Sequence, residues 1–183
     1  MFISANNNNF EFFFTKNIVP QEIEDKYMPY FSRIPGGAIE RCVDFLNYGV
    51  QSINVNGAQY DIVEQRDRKT PYGRIYRSGM TPESTMGKDI TITSQIYDGF
   101  VNYFLWLDLY YYYYNSGEHQ HLPGVPFLRV FDGSGYETLS VEFKNLLFVS
   151  MDGLDLNFSS NTVDMKTFTC SFRAEEVEIK LAL

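Results

Sequence analysis

From Val125 to Leu183 apolar and polar residues alternate almost without a break, and that period constrains this chain more than any other feature. Val141 and Phe143, then Leu154, Leu156 and Phe158, then Phe168, Cys170 and Phe172, and finally Val177, Ile179 and Leu181 stand two positions apart within each run. Successive side chains of a strand point to opposite faces, so this spacing predicts strands with one face buried and one exposed. Turn-forming residues separate the runs. Asp132-Gly-Ser-Gly135 lies between Pro126–Phe131 and Tyr136–Phe143, and Asp152-Gly153 lies between Asn145–Val149 and Leu154–Phe158. Lys166–Phe172 and Glu176–Leu181 are expected to form a third pair. The polar faces, rich in Glu, Thr, Ser and Asn, suit the wall of an antiparallel β-barrel or sandwich rather than an enzyme's cleft.

The N-terminal half is more varied. Residues 1–16 read as an arm, an asparagine run followed by Phe10-Glu-Phe-Phe-Phe14. Pro20 followed by Glu22, Glu24 and Asp25 predicts a short helix, because proline and acids both suit a helix start. Ile39, Cys42, Val43 and Leu46 have helical spacing and predict a second helix over 37–47. Asn56-Gly57 predicts a hairpin joining strands at Val50–Asn54 and Gln59–Gln65. A polar excursion over 66–87 follows, then a strand at Lys88–Ile96, the longest helix at Tyr97–Tyr114, and a loop to Gly124. With no linker or internal repeat, the 183 residues are expected to form a single mainly β domain with one packed helix, an N-terminal arm and short helices.

The chemistry the sequence offers is thin. His119 and His121 beside Glu118 resemble a metal set, but Gly and Pro flank them and no Cys stands near to complete coordination, so a solvated loop is expected. Asp132-Gly-Ser-Gly135 is expected to be a hairpin turn rather than a phosphate or calcium loop, since no helix follows it. Nothing fixes a separation among Asp152, Asp155 and Asp164, and no nucleotide-binding or serine-hydrolase motif occurs. Catalytic, cofactor and metal sites are therefore expected to be absent. Cys42 and Cys170 sit among apolar neighbours and are expected to be buried thiols. The apolar stretch Phe100–Tyr114 is interrupted by Asn102 and Asp108 and is too short for a membrane span. The five tyrosines Tyr110–Tyr114 point all round a helix, so some pack inside and the rest face water or another chain. A net charge of −8 argues against nonspecific phosphate binding by the whole chain.

The order of elements over residues ~45–181 resembles the tail tube proteins of bacteriophages and the related tube protein of type VI secretion. Ile90-Thr-Ile-Thr-Ser94 leading into the helix and Phe127–Tyr136 carry the likeness. So do Asn145-Leu-Leu-Phe148, Leu154–Ser159 and Lys166–Phe172. The resemblance implies a non-enzymatic virion tail protein, assembled in the host cytoplasm, whose copies form six-fold rings. Stacked rings would make a conduit through which DNA passes without specific binding. Sheath, baseplate and tape-measure proteins are the implied partners, with no membrane. A tube-initiating or baseplate role is the alternative within the family, and a carbohydrate-binding β-sandwich the rival from another class. Phe10, Phe12, Phe14, Tyr72, Arg74, Tyr76 and Arg77 are the expected subunit interface. The phenylalanine ridge shows no partner within the chain, so deleting residues 1–14 is expected to spare the fold. Glu137, Glu142, Asp155, Glu176 and Glu178 are the expected lumen-facing acids, with Arg129, Lys144, Lys166, Arg173 and Lys180 mostly turned elsewhere.

Overall fold

A computed structural model describes residues 9–31, 40–56, 62–66, 74–78, 88–115, 121–154 and 166–182. Six strands form one antiparallel sheet, curled into a nearly closed barrel. They are β1 (Phe10–Phe13), β2 (Val50–Val55), β5 (Lys88–Gln95), β6 (Phe127–Phe131), β7 (Glu137–Met151) and β8 (Thr167–Leu181), in the order β1-β6-β7-β8-β5-β2. Strands β3 (Ile62–Arg66) and β4 (Arg74–Ser78) pair with each other as a separate two-stranded sheet. Among the described residues three α-helices accompany the strands: α1 (Gln21–Phe31), α2 (Cys42–Tyr48) and α3 (Val101–Asn115).

The core follows from the alternation. Ile90 and Ile92 of β5, Phe143, Leu146 and Phe148 of β7, and Phe168, Cys170, Phe172 and Ala174 of β8 are all buried. Helix α3 covers this face with Tyr103, Leu105, Trp106, Leu109 and Tyr113. The Trp106 ring is central, with centroids 5.1 Å from Phe14, 5.6 Å from Phe148 and 5.8 Å from Phe172. Truncating such a residue costs about 3–5 kcal/mol. Buried Asn102 fixes the entry to α3: its amide donates to the Gln95 carbonyl, and its Oδ1 accepts from Tyr97 N–H at 3.2 Å.

Three expectations are corrected. The first concerns the arm. β1 pairs with β6, and Phe12 and Phe14 are buried in the chain's own core, so the phenylalanine ridge does have an intramolecular partner. Asn47 of α2 pins its end, accepting from Phe14 N–H at 2.8 Å and donating to the Phe14 carbonyl at 3.3 Å. Deleting residues 1–14 would remove an edge strand and two buried rings, and the fold would not be spared.

The second concerns the hairpin around Asn56-Gly57. β2 pairs with β5, not with β3, and Asn56 N–H donates to the Asp89 carbonyl at 3.0 Å. Gly57 lies outside the described residues. The excursion expected over 66–87 contributes β4, so part of it is a strand.

The third concerns the C-terminal strands. Asp132-Gly-Ser-Gly135 is the predicted turn: Asp132 Oδ1 accepts from Ser134 N–H at 2.8 Å and Tyr136 N–H at 2.9 Å, and Gly135 takes φ 83°. Beyond it, however, β7 and β8 are two 15-residue strands paired with each other, not two further hairpins. Their buried positions change parity midway, from Phe143 to Leu146 and from Ala174 to Val177. Asn145 and Glu175 lie opposite each other between ladder pairs Lys144–Glu176 and Leu146–Ala174, and Asn145 has φ 50°. The register runs through this level unshifted, so the buried side switches on both strands without a turn; the register shift of the β7–β8 ladder lies between Phe148 and Ser150. Leu154 is outside any strand, and the remainder of Leu154–Phe158 lies outside the described residues.

Candidate functional site

Three surfaces of the domain are candidates for work, and none is a chemical centre. The first is the outer face of the β6–β7–β8 wall. Ladder partners place Glu11, Arg129, Ser140 and Lys180 in one row, with Glu142 beside Glu178 and Lys144 beside Glu176. Lys144 Nζ lies 3.1 Å from Glu176 and 2.9 Å from Glu178, Lys180 Nζ lies 2.6 Å from Glu142, and Arg129 Nε lies 3.5 Å from Glu137. The Lys144 hydrogen bond holds the Glu178 carboxyl below its ordinary range, while Glu178 and Glu176 raise Lys144 and Glu142 raises Lys180. These pairs are solvent-exposed and contribute little to stability. They set the potential of the wall instead.

Four of the five expected lumen acids, Glu137, Glu142, Glu176 and Glu178, are thus brought together here; Asp155 lies outside the described residues. The expected separation of acids from bases is corrected, because Lys144 and Lys180 interleave with the acids. Directly opposed carboxylates such as Glu142 and Glu178 are destabilising unless cations are threaded between them. Five acids (Glu11, Glu137, Glu142, Glu176, Glu178) against three bases (Arg129, Lys144, Lys180) leave the face at net −2.

The second surface is the far end of the opposite face. Here Leu139 faces Leu181 and Val141 faces Ile179, and Ile179 and Leu181 are 66% and 71% exposed. The sheet's apolar side runs past the point where α3 covers it. Among the described residues strands β1 and β2 bound the same sheet and have no further ladder partner.

The third surface is an open groove of about 530 Å³ between α1 and α3, lined by Glu22, Ile23, Lys26, Asp108, Tyr111, Tyr112 and Asn115. Asp108 accepts from Lys26 and, at 2.6 Å, from the Tyr27 hydroxyl. Burial, followed by that hydrogen bond and the Asp108 charge, pushes the Tyr27 phenol well above its usual value. The tyrosine run divides as expected. Tyr113 is buried and donates to the Ile18 carbonyl at 2.7 Å, whereas Tyr111 and Tyr114 are 53% and 74% exposed. Nothing in the sequence pointed to this groove, since Lys26 and Asp108 stand 82 positions apart and share no motif.

The remaining expected interface residues are placed as follows. Phe10 is partly buried against the core, Phe12 and Phe14 lie within it, Arg74, Tyr76 and Arg77 belong to β4, and Tyr72 lies outside the described residues. Cys42 and Cys170 are buried free thiols, each pushed up first by burial, Cys42 to about 12. His121 Nε2 lies 3.2 Å from Glu175, while His119 and Glu118 lie outside the described residues. Among the described residues no His, Cys, Asp and Glu side chains cluster as a metal site, and no helix is long and apolar enough to cross a membrane.

No family model and no curated protein matches the chain. Solved structures do. A chain of the anti-feeding prophage tube-terminating cap is similar over 100% of this chain and 94% of its own, at 12% identity and a TM-score of 0.59. A chain of the six-fold symmetrised anti-feeding prophage baseplate is similar over 98% of this chain and 97% of its own, at 10% identity and a TM-score of 0.57. A chain of the sheath–tube complex of an extracellular contractile injection system is similar over 73% of this chain and 81% of its own, at 16% identity and a TM-score of 0.50. The likeness is one of architecture: this chain has the tail-tube type of β fold, as the order of its elements led one to expect.

Proposed function

We propose that the chain is a non-enzymatic, ring-forming subunit of a tail-tube assembly, placed at or near an end of the tube. One observation carries the reading. Among the described residues a barrel-like sheet is left with two edge strands and an exposed apolar shelf, in a fold shared over nearly its whole length with a cap chain and a baseplate chain. Long open edges and apolar patches are liabilities in a monomer and assets in a closed ring. The tube-end position is favoured because the cap chain and the baseplate chain are each matched over nearly the whole of this chain. Six copies per ring, with the ion-paired β6–β7–β8 face toward a DNA conduit, complete the reading. The net-acidic wall then repels the duplex weakly and lets it slide.

Mass photometry and negative-stain microscopy of the purified chain test this. Closed rings or short stacks are expected as concentration rises. A strictly monomeric species up to ~1 mM, where even a weak contact of about 4 kcal/mol is populated, would overturn it.

A further inference from the structure

Strand β8 is a central strand for only half of its length. Thr167–Ala174 has β5 beside it, but the β5 ladder stops at the pair Lys88–Ala174. From Glu176 to Leu181 the strand keeps its β7 partner and, among the described residues, has none on its other side. At its end the Ala182 N–H donates to the Thr138 carbonyl beside β7 at 3.1 Å. Backbone groups of an antiparallel strand turn to its two sides in alternation. Lys180, Glu178 and Glu176 therefore bond to β7, while the N–H and C=O groups of Val177, Ile179 and Leu181 point out of the bare edge. Ile179 and Leu181 are also the exposed end of the apolar shelf, with Val177 partly buried behind them. An edge that combines unpaired ladder groups with exposed apolar side chains takes another strand.

The charges on the opposite face select that strand. Glu176, Glu178 and Lys180 alternate with the apolar residues. Laid antiparallel against a second copy with Ile179 on the two-fold axis, the segment sets Glu178 opposite Lys180 of the second copy, and Val177 opposite its Leu181, each contact occurring twice. An axis on Glu178 brings two carboxylates face to face, and an axis on Lys180 opposes two lysines. An axis on Val177 sets Glu176 against Glu178 twice. Opposite charges favour a ladder and like charges oppose it, so only the register about Ile179 is free of conflict. In that register the seam also extends the ion pairs of the wall. Glu178 lies 2.9 Å from Lys144 and Lys180 lies 2.6 Å from Glu142 within the chain. Pairing places each between an opposite charge of its own copy and one of the other.

We propose that residues 176–181 of β8 are a self-pairing edge through which two copies of this chain join antiparallel about Ile179. A second copy is favoured over an unrelated strand because the charge order is complementary to itself. A two-fold contact closes on itself, so it joins two copies and goes no further. It goes beyond the ring-forming reading and does not depend on it, since the contacts of a ring run head to tail.

Crosslinking across the axis tests this in the full chain. Residues on the axis of such a ladder have Cα atoms about 5.5 Å apart, within disulfide range. Ile179→Cys is therefore expected to give a disulfide-linked dimer under mild oxidation. Leu181→Cys is not, because four residues of strand put its counterpart about 14 Å away. The native Cys42 and Cys170 are buried and keep the background low. In analytical ultracentrifugation, Glu178→Lys and Lys180→Glu are each expected to raise the dimer dissociation constant roughly tenfold, because two symmetry-related pairs change sign at once. The double exchange is expected to recover much of that loss. Thermal melting is the folding control, and Ile179→Cys, at an exposed position, keeps the test decisive if a charge variant misfolds. Equal crosslinking at 179 and 181, none at 179 in a chain that self-associates, or dimerisation indifferent to both charge reversals overturns the two-fold edge and leaves the ring reading standing. A linked dimer that never builds a ring supports the edge and sinks the ring reading. A chain that stays monomeric overturns both.

Discussion

Cys42 illustrates how a single buried group is tied to the stability of the whole. Its thiol is fully buried at the start of α2, its N–H donates to Glu24 at 3.0 Å, and burial and then the Glu24 charge raise its pKa from 9.0 to about 12. Below pH 9 the thiol is neutral in folded and unfolded chains alike. As the pH rises from there toward 12, the unfolded chain loses this proton first and the folded chain keeps it. The unfolded state then binds fewer protons, so stability falls across that window. The Tyr27, Tyr97 and Tyr113 phenols, all raised first by burial, push in the same direction at still higher pH. Urea midpoints measured at intervals from pH 7 to ~12 are expected to hold level and then decline, and Cys42→Ala is expected to flatten the early part of the decline. Equal slopes for both chains would show that the thiol ionises freely in the folded state. Burial of both cysteines was legible from their apolar neighbours. The Asp108–Lys26–Tyr27 cluster was not, because long-range polar contacts leave no periodic trace.

At the scale of elements, the β7–β8 ribbon shows where periodicity informs and where it misleads. Strands were legible at 136–143, 145–149, 166–172 and 176–181, and the buried side at Phe143, Phe168, Cys170 and Phe172, whereas Ile179 and Leu181, expected on the buried face, are exposed. The parity breaks, three positions from Phe143 to Leu146 and five from Phe172 to Val177, were also plain in the sequence, but they read as turns. Physically, a turn needs residues that reverse the chain, and Arg173-Ala-Glu-Glu176 contains none. A switch of face inside a continuous ribbon needs only a residue able to take positive φ, which Asn145 supplies. Asn145→Gly is therefore expected to be near neutral, and Asn145→Val to cost about 1–2 kcal/mol in a denaturant titration. If valine were tolerated as well as glycine, the left-handed backbone at 145 would not be a requirement of the strand. The β1 misreading has a similar origin: four residues of strand have no sequence-local partner, and β6 begins more than a hundred positions later.

For the molecule as a whole, the balance of charge makes the conduit reading testable apart from ring formation. Lys144 and Lys180 are spent on neighbouring carboxylates, so the β6–β7–β8 wall offers few free cations to release counterions from a duplex. The assembled protein is expected not to retard duplex DNA in gel shift at about 0.15 M salt, where screening leaves only close contacts effective. Stable retention would argue against passive sliding. The sheet order carries a consequence in time as well as space. β1, β6 and β7 make one half of the wall, β2 and β5 the other, and β8 alone is bonded to both. The strand that joins the halves is the last of the six to leave the ribosome. Until it emerges, a nascent chain holds two unconnected half-sheets with four open sides between them, at its most prone to pairing with the wrong neighbour. The finished outline, with β1 and β2 as the edge strands among the described residues, arises in one late event. On the proposed ring-forming reading, synthesis itself thereby separates the making of a subunit from its polymerisation.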